Sequence, residues 1–203
     1  MLAFIAPGQG AQTPGMLAPW IEDAAAKSLL GKWSDEINLD LVRLGTTADA
    51  EEIKDTANAQ PLIVAASLLG AHALGIKNVA VTSGHSVGEL AAAAISGAIS
   101  ESDALMIVRA RGVEMAKAAS TSPSGMSAVL GGDRTEVLAA IAGLKLVAAN
   151  DNGAGQIVAA GDLQALASLN ENPPAGTRVR ALAVAGAFHT EFMQLAVGPL
   201  RTL

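Results

Sequence analysis

The chain has 203 residues, 51% of them hydrophobic and 16% charged, with a formal net charge of −6 at pH 7. That is ample core for one good-sized domain, or one domain with an insert, and it excludes a disordered chain. Only 2% of residues are aromatic, none of them Tyr, and the charge is acidic, which argues against a nucleic-acid binder; the absence of Cys excludes disulfides, a thiolate nucleophile and Cys-based metal sites.

The N-terminus, "MLAFIAPGQG", has no basic segment, and its apolar run is too short for a signal peptide. Residues 2–6 predict a short buried strand stopped by Pro7-Gly8, with a glycine-rich loop after it. Residues 16–37 are helical in period, punctuated by Pro19 and Gly31. Residues 50–57 read as a polar helix start, and 59–74 as a buried helix with Pro61 in its first turn. The apolar run from Pro61 is interrupted by His72 and falls short of the ~18–20 residues of a membrane span. The reading is a cytoplasmic protein. Residues 77–84 predict a buried strand, and its position between helices implies a parallel α/β layout. "GELAAAAISGAI" predicts a tightly packed helix, and 100–120 a capped amphipathic helix opened by Ser100.

The texture changes at "TSPSG", from Thr121. The segments that follow read strand, helix, strand, strand, helix, strand, which is the ferredoxin-like order. The expected organisation is a large α/β domain from 1–124 and 185–203 around a small subdomain at 125–184. The last segment, "AGAFHTEFMQLAVGPLRTL", is helical in pattern and has no closing signal.

Gly84-His85-Ser86-Val87-Gly88 stands between a predicted strand and a predicted helix. Gly-x-Ser-x-Gly in that context is the pattern of a nucleophile elbow, and a plain tight turn is the alternative for a glycine-rich chain. In an elbow the serine takes a strained backbone position and its hydroxyl projects at a helix N-terminus. The N–H of the next residue, Val87, then faces a developing oxyanion. A serine needs a base. His72 lies in the apolar helix, and His85 adjoins Ser86 on a turn that directs it elsewhere. His189, in "GAFHT", is the best candidate. Asp103, Asp133, Asp151 and Asp162 lie between Ser86 and His189, all at helix starts or turns where capping explains them. The loop "PGQGAQ" lacks the phosphate-binding signatures. It is either an ordinary strand-to-helix turn or the source of a second oxyanion donor. Arg109 and Arg111 lie on one helix and point to different faces, one of them available for a substrate carboxylate.

Taken together, "APGQGAQ", "GHSVGE", "VRARG", "ANDNGAGQIVAAG" and "GAFHT" resemble the malonyl-CoA:acyl carrier protein transacylases, the acyltransferases that load malonyl units for fatty-acid synthesis. The resemblance spans essentially the whole chain. It implies an α/β-hydrolase-like large domain with a parallel sheet and an inserted ferredoxin-like α+β subdomain. It implies Ser86 as the acylated nucleophile, His189 as its base, the backbone N–H groups of Gln9 and Val87 as the oxyanion hole, and Arg111 as the partner of the malonyl carboxylate. Arg109 is then solvated or structural. In related polyketide acyltransferases, Val after the serine and "AFH" at the histidine accompany malonyl. Val87 and Ala187-Phe188-His189 match that pattern, with Phe188 restricting the acyl pocket. The implied partners are malonyl-CoA and acyl carrier protein, with no cofactor, metal, nucleic acid or membrane, and the implied state is a monomer. Members of the family continue well beyond Leu203, so the expectation is an N-terminal fragment or truncated product. The lost segment carries further strands and a backbone carbonyl that orients the histidine. Two alternatives stand beside the transferase. One is a serine hydrolase of esters or thioesters, and a hydrolase of neutral esters has no use for a buried Arg111. The other is a non-catalytic fragment that binds acyl carrier protein.

Overall fold

A computed structural model describes residues 1–75 and 79–203. The chain forms two compact units, Met1–Val113 together with Leu203, and Glu114–Thr202.

In the first unit, β1 (Ala3–Ala6) pairs in parallel with β2 (Val81–Gly84), with Ala3 opposite Val81 and Ala6 opposite Gly84. Residues 77 and 78 of the predicted second strand lie outside the described residues. These strands are less buried than their composition predicts. Alternation turns Phe4 and Ala6 toward the core, while Ile5 is 75% exposed and Val81 52% exposed. The helices of this unit are α1 (Ala24–Glu36), α2 (Leu41–Thr46), α3 (Ala50–Lys54), α4 (Thr56–Leu74), α5 (Gly88–Ile95) and the start of α6 (Glu101–Ala119). The predicted helix over 16–37 divides. A 3-10 turn at Trp20–Glu22 follows Pro19, and Asp23 then caps α1, which runs on through Gly31. Asp40, Asp49 and Asp55 cap α2, α3 and α4 in the same way, each carboxylate accepting from a first-turn N–H. Much of the acidic excess therefore sits at helix starts.

Helix α4 is longer than its apolar run. By length and composition it is the one helix among the described residues that could cross a membrane, and 56% of that stretch is buried in the protein. Leu62, Ile63, Leu68 and Leu69 pack with Leu30 and Trp33 of α1, Leu41 and Leu44 of α2, and Leu105 and Val108 of α6. Burial on several sides explains why α4 shows no sharp apolar stripe in sequence.

In the second unit, β3 (Ser124–Gly131), β4 (Val147–Asp151), β5 (Gln156–Asp162) and β6 (Thr177–Ala181) form an antiparallel sheet in the order β4-β5-β3-β6. Its helices are α7 (Arg134–Gly143) and α8 (Leu163–Glu171), capped by Asp133 and Asp162. One sheet face, with Val129, Ile157 and Ala159, packs on Val137 and Ile141 of α7 and on Leu166 and Leu169 of α8. The other face, with Met126, Val158 and Ala160, meets Met115, Ala118, Phe188, Met193 and Ala196. The terminal stretch forms a 3-10 turn at Glu191–Met193 and helix α9 (Gln194–Arg201). The fold is thus mixed α/β, with one parallel and one antiparallel sheet.

Leu169 is fully buried and Leu195 is 64% exposed. Leu169→Ala should cost about 2–5 kcal/mol through lost transfer energy and a cavity. Leu195→Ala should stay within about 0.5 kcal/mol. Urea unfolding midpoints of the two variants would check the contrast, and equal shifts would contradict this placement of the core.

Candidate active site

Strand β2 ends at Gly84 and α5 begins at Gly88, so Ser86 stands in the turn between them. Its φ is +52°, the left-handed region that a residue with a Cβ rarely adopts, at a cost of order 1–3 kcal/mol. The flanking glycines are required by space. A Cβ on Gly84 would collide with the backbone of Gly88 and Glu89. One on Gly88 would lie 2.5 Å from the carbonyl oxygen of Ala6 and 2.6 Å from that of Pro7. The turn is tied to the first strand, because the His85 N–H donates to the Ala6 carbonyl at 3.1 Å. The His85 ring lies beside Gly8, where a Cβ would strike Nδ1. Val87 is the N-cap residue of α5, with a fully buried side chain, and its backbone N–H belongs to the leading group at that helix start.

Gln9 is held from the loop after β1. Its Nε2 donates to Thr56 Oγ1 at 3.2 Å, and its Oε1 accepts from Gln60 Nε2 at 3.4 Å. Thr56 and Gln60, both on α4, are 0% and 1% exposed. Arg111, on α6, completes the chain of contacts. Its Nη1 donates to Gln60 Oε1 at 2.7 Å, and its Nη2 donates to Ser86 Oγ at 3.2 Å. Burial pushes the guanidinium below its ordinary value, while the negative charge of Glu89 works in the other direction.

Arg111 arrives there through a local defect in α4. Pro61 has no N–H, so the carbonyl of Ala57, four residues earlier, lacks its helical donor. Arg109 Nη1 supplies one at 2.9 Å. At the position after Arg111, Gly112 lets the helices touch, since a Cβ there would lie 2.9 Å from the Thr56 carbonyl oxygen. Arg109 is therefore structural and part-buried, not solvated.

His189 and Phe188 belong to the second unit. His189 also has a left-handed backbone, φ +60°, and is exposed. Ser124 Oγ accepts from Ala187 N–H at 3.2 Å, and Thr190 Oγ1 donates to the Ala187 carbonyl at 2.6 Å, which fixes the segment on both sides of the histidine. Phe188 is buried in the cluster of Met115 and Met126. Ser86 and His189 are thus two of the few residues other than glycine with positive φ, beside Asn38, Lys145 and Ala154 among the described residues.

The four acids between them in sequence have local employment. Asp133 and Asp162 cap helices, Asp103 exchanges hydrogen bonds with Ser100, and Asp151 pairs with Arg134, which holds its carboxyl below the usual range. His72 is half-exposed, 2.8 Å from Glu101. Among the described residues no three His, Asp or Glu side chains gather as a metal site.

The sequence pattern of the acyl transferase domain matches residues 3–203. The chain belongs to that family. It is 58% identical over 202 residues to the malonyl CoA-acyl carrier protein transacylase of Mycobacterium tuberculosis, across 97% of this chain and 67% of that protein. The crystal structure of MCAT from Mycobacterium tuberculosis superposes with a TM-score of 0.96 at 57% identity, covering 100% of this chain and 68% of the other. A malonyl-transacylase solved in complex with a type II PKS acyl-carrier protein matches at TM-score 0.88 and 27% identity, over 99% of this chain and 68% of the other. This acyl transferase domain therefore spans about two thirds of the length of these relatives.

Gln60 and Thr56 were not singled out from sequence. The one signal was an amide in an otherwise apolar run, "AQPLIVAA", directly before a proline. In this acyl transferase domain, Gly88→Ala should destabilise by about 1–3 kcal/mol, because the added methyl meets backbone that cannot yield. Gly31→Ala meets nothing within 4 Å inside α1 and should be neutral or stabilise by up to about 1 kcal/mol. Thermal unfolding of both variants checks this, and a benign Gly88→Ala would contradict the described elbow.

Proposed function

We propose that this chain transfers the malonyl group of malonyl-CoA to the phosphopantetheine thiol of acyl carrier protein through an ester on Ser86. The observation that carries the reading is the part-buried guanidinium of Arg111 donating to Ser86 Oγ at 3.2 Å. A site for neutral acyl groups gains nothing from a desolvated cation there. A site for an acyl group ending in a carboxylate gains a charge-assisted partner. The names of the relatives support the same chemistry.

In the first half-reaction His189 takes the proton of Ser86, Oγ attacks the thioester carbon, and the carbonyl oxygen becomes an oxyanion. The backbone N–H groups of Gln9 and Val87 stabilise it. The C–S bond breaks, the thiolate of CoA leaves and takes the proton, and malonyl remains on Ser86. In the second half-reaction the carrier thiol gives its proton to His189 and attacks the ester carbon, the ester C–Oγ bond breaks, and Ser86 Oγ leaves with the proton returned by His189. Arg111 has a different partner in each state. In the free protein its Nη2 donates to Oγ, and once Oγ becomes an ester oxygen, a poorer acceptor, Nη2 is freed for the carboxylate of the acyl group while Nη1 stays on Gln60. Phe188 limits the pocket to a malonyl unit. The chemistry uses no cofactor or metal.

The large part of the domain is read as α/β-hydrolase-like, with residues 125–184 as a ferredoxin-like insert. The strand order β4-β5-β3-β6 with α7 and α8 on one face supports the latter. A cytoplasmic protein with no nucleic-acid or membrane partner fits the acidic charge and the packing of α4, and a monomer is the state the resemblance implies.

Ser86→Ala should abolish acyl-enzyme formation from labelled malonyl-CoA, and label retained on the variant would sink the assignment. Arg111→Ala should slow malonyl transfer by about 2 kcal/mol, roughly thirtyfold, as one charged hydrogen-bonding partner is lost. Acetyl transfer should fall far less. Equal losses on the two acyl groups, measured as kcat/KM, would make Arg111 structural.

A further inference from the structure

We propose that Gln60 is a positioning residue that sets the preference for a carboxylated acyl group, by holding Arg111 with a partner that carries no charge. The proposal rests on the assignments of Ser86 and Arg111 above. Gln60 is 1% exposed, its amide has a partner at each end, and the arginine end fixes the orientation. Oε1 faces a permanent cation, Arg111 Nη1, at 2.7 Å. Nε2 faces an acceptor, Gln9 Oε1, at 3.4 Å. A reversed amide would oppose donor to donor at the arginine. The guanidinium is planar, so fixing Nη1 also fixes the plane in which Nη2 meets Ser86.

The neutrality of the holder matters as much as its geometry. A carboxylate in place of Gln60 would orient Arg111 equally well, but it would also neutralise the charge that the substrate carboxylate must find. An amide leaves that charge unspent. Glu89 acts only through space in the described contacts. The same amide reaches Gln9, whose backbone N–H is assigned to the oxyanion hole, so one side chain connects the carboxylate partner to the loop that stabilises the reacting carbonyl.

The test is a competition in one tube. The full chain is incubated with equal concentrations of malonyl-CoA and acetyl-CoA, and the two adducts on the protein are resolved by intact mass. The adduct ratio comes from the same folded molecules, so it does not depend on how much of a variant folds. Gln60→Met, which removes the hydrogen bonds at similar size, should lower the malonyl-to-acetyl ratio about tenfold or more, as expected for one lost bond to a charged group, and Gln60→Glu, which adds charge at the same shape, should lower it by cancelling the charge the substrate carboxylate must find. Gln60→Glu should be the lower of the two, although it can still hydrogen-bond Arg111. If wild-type protein carries neither adduct, or if Arg111→Ala leaves its ratio unchanged, the assignment of the site falls. If Arg111→Ala collapses the ratio while both Gln60 variants keep it, the site stands and Gln60 has no part in selectivity. Equal loss of both adducts in the Gln60 variants also overturns the proposal, because a selectivity residue must spare acetyl.

Discussion

The contact between the first turns of α4 and the middle of α6 is the constraint on which the candidate site depends. Pro61 removes one helical hydrogen bond and leaves the Ala57 carbonyl without its helical donor in a part-buried place. Arg109 meets that need from α6, and Gly112 allows the backbones to close. With Leu105 and Val108 buried on the same helix, α6 is held against α4 by apolar packing and by the directed bond from Arg109. Arg111 is placed by that clamp next to Gln60 and Ser86.

The clamp also explains how a cation is kept part-buried. Desolvation alone pushes the Arg111 guanidinium toward neutrality, although its ordinary value is so high that it stays charged near pH 7. Its hydrogen-bond partners are an amide oxygen and a hydroxyl, and Glu89 contributes at longer range. Neutral acceptors satisfy the geometry without cancelling the charge. That is the arrangement expected where the true counter-ion arrives with a substrate.

Two of the five left-handed residues other than glycine among the described residues are ones proposed for chemistry. Ser86 and His189 both hold left-handed conformations that their side chains disfavour, and each is fixed by bonds on both sides. At Ser86 the strain is sustained by two glycines that let β1, β2 and α5 approach closely. At His189 it is sustained by Ser124 and Thr190, which bond the Ala187 backbone from both directions. Strain of this kind persists only where the surroundings over-determine it.

What could be read from the sequence was whatever has a local cause. Asp before a helical stretch has a ready local use, so caps at Asp133 and Asp162 were legible. The order of strands and helices after Thr121 was legible because each element carries its own period. The Gly84-to-Gly88 turn was legible because its glycines and serine answer a steric demand within five residues. What only the tertiary structure decided is whatever joins residues far apart in the chain. Ile5 and Val81 read as buried by type, yet pairing puts both on the exposed face of the β1–β2 sheet. Arg109 and Arg111 could not be told apart by spacing, because their difference lies in a carbonyl that Pro61 frees some fifty residues earlier. Gln60 had no motif, and its meaning comes from two partners, Gln9 and Arg111, that approach it only when the loop after β1 and helix α6 close on α4. Periodicity and caps are set by neighbours along the chain, whereas a hydrogen-bond partner for a buried amide is set by packing, which no local pattern encodes.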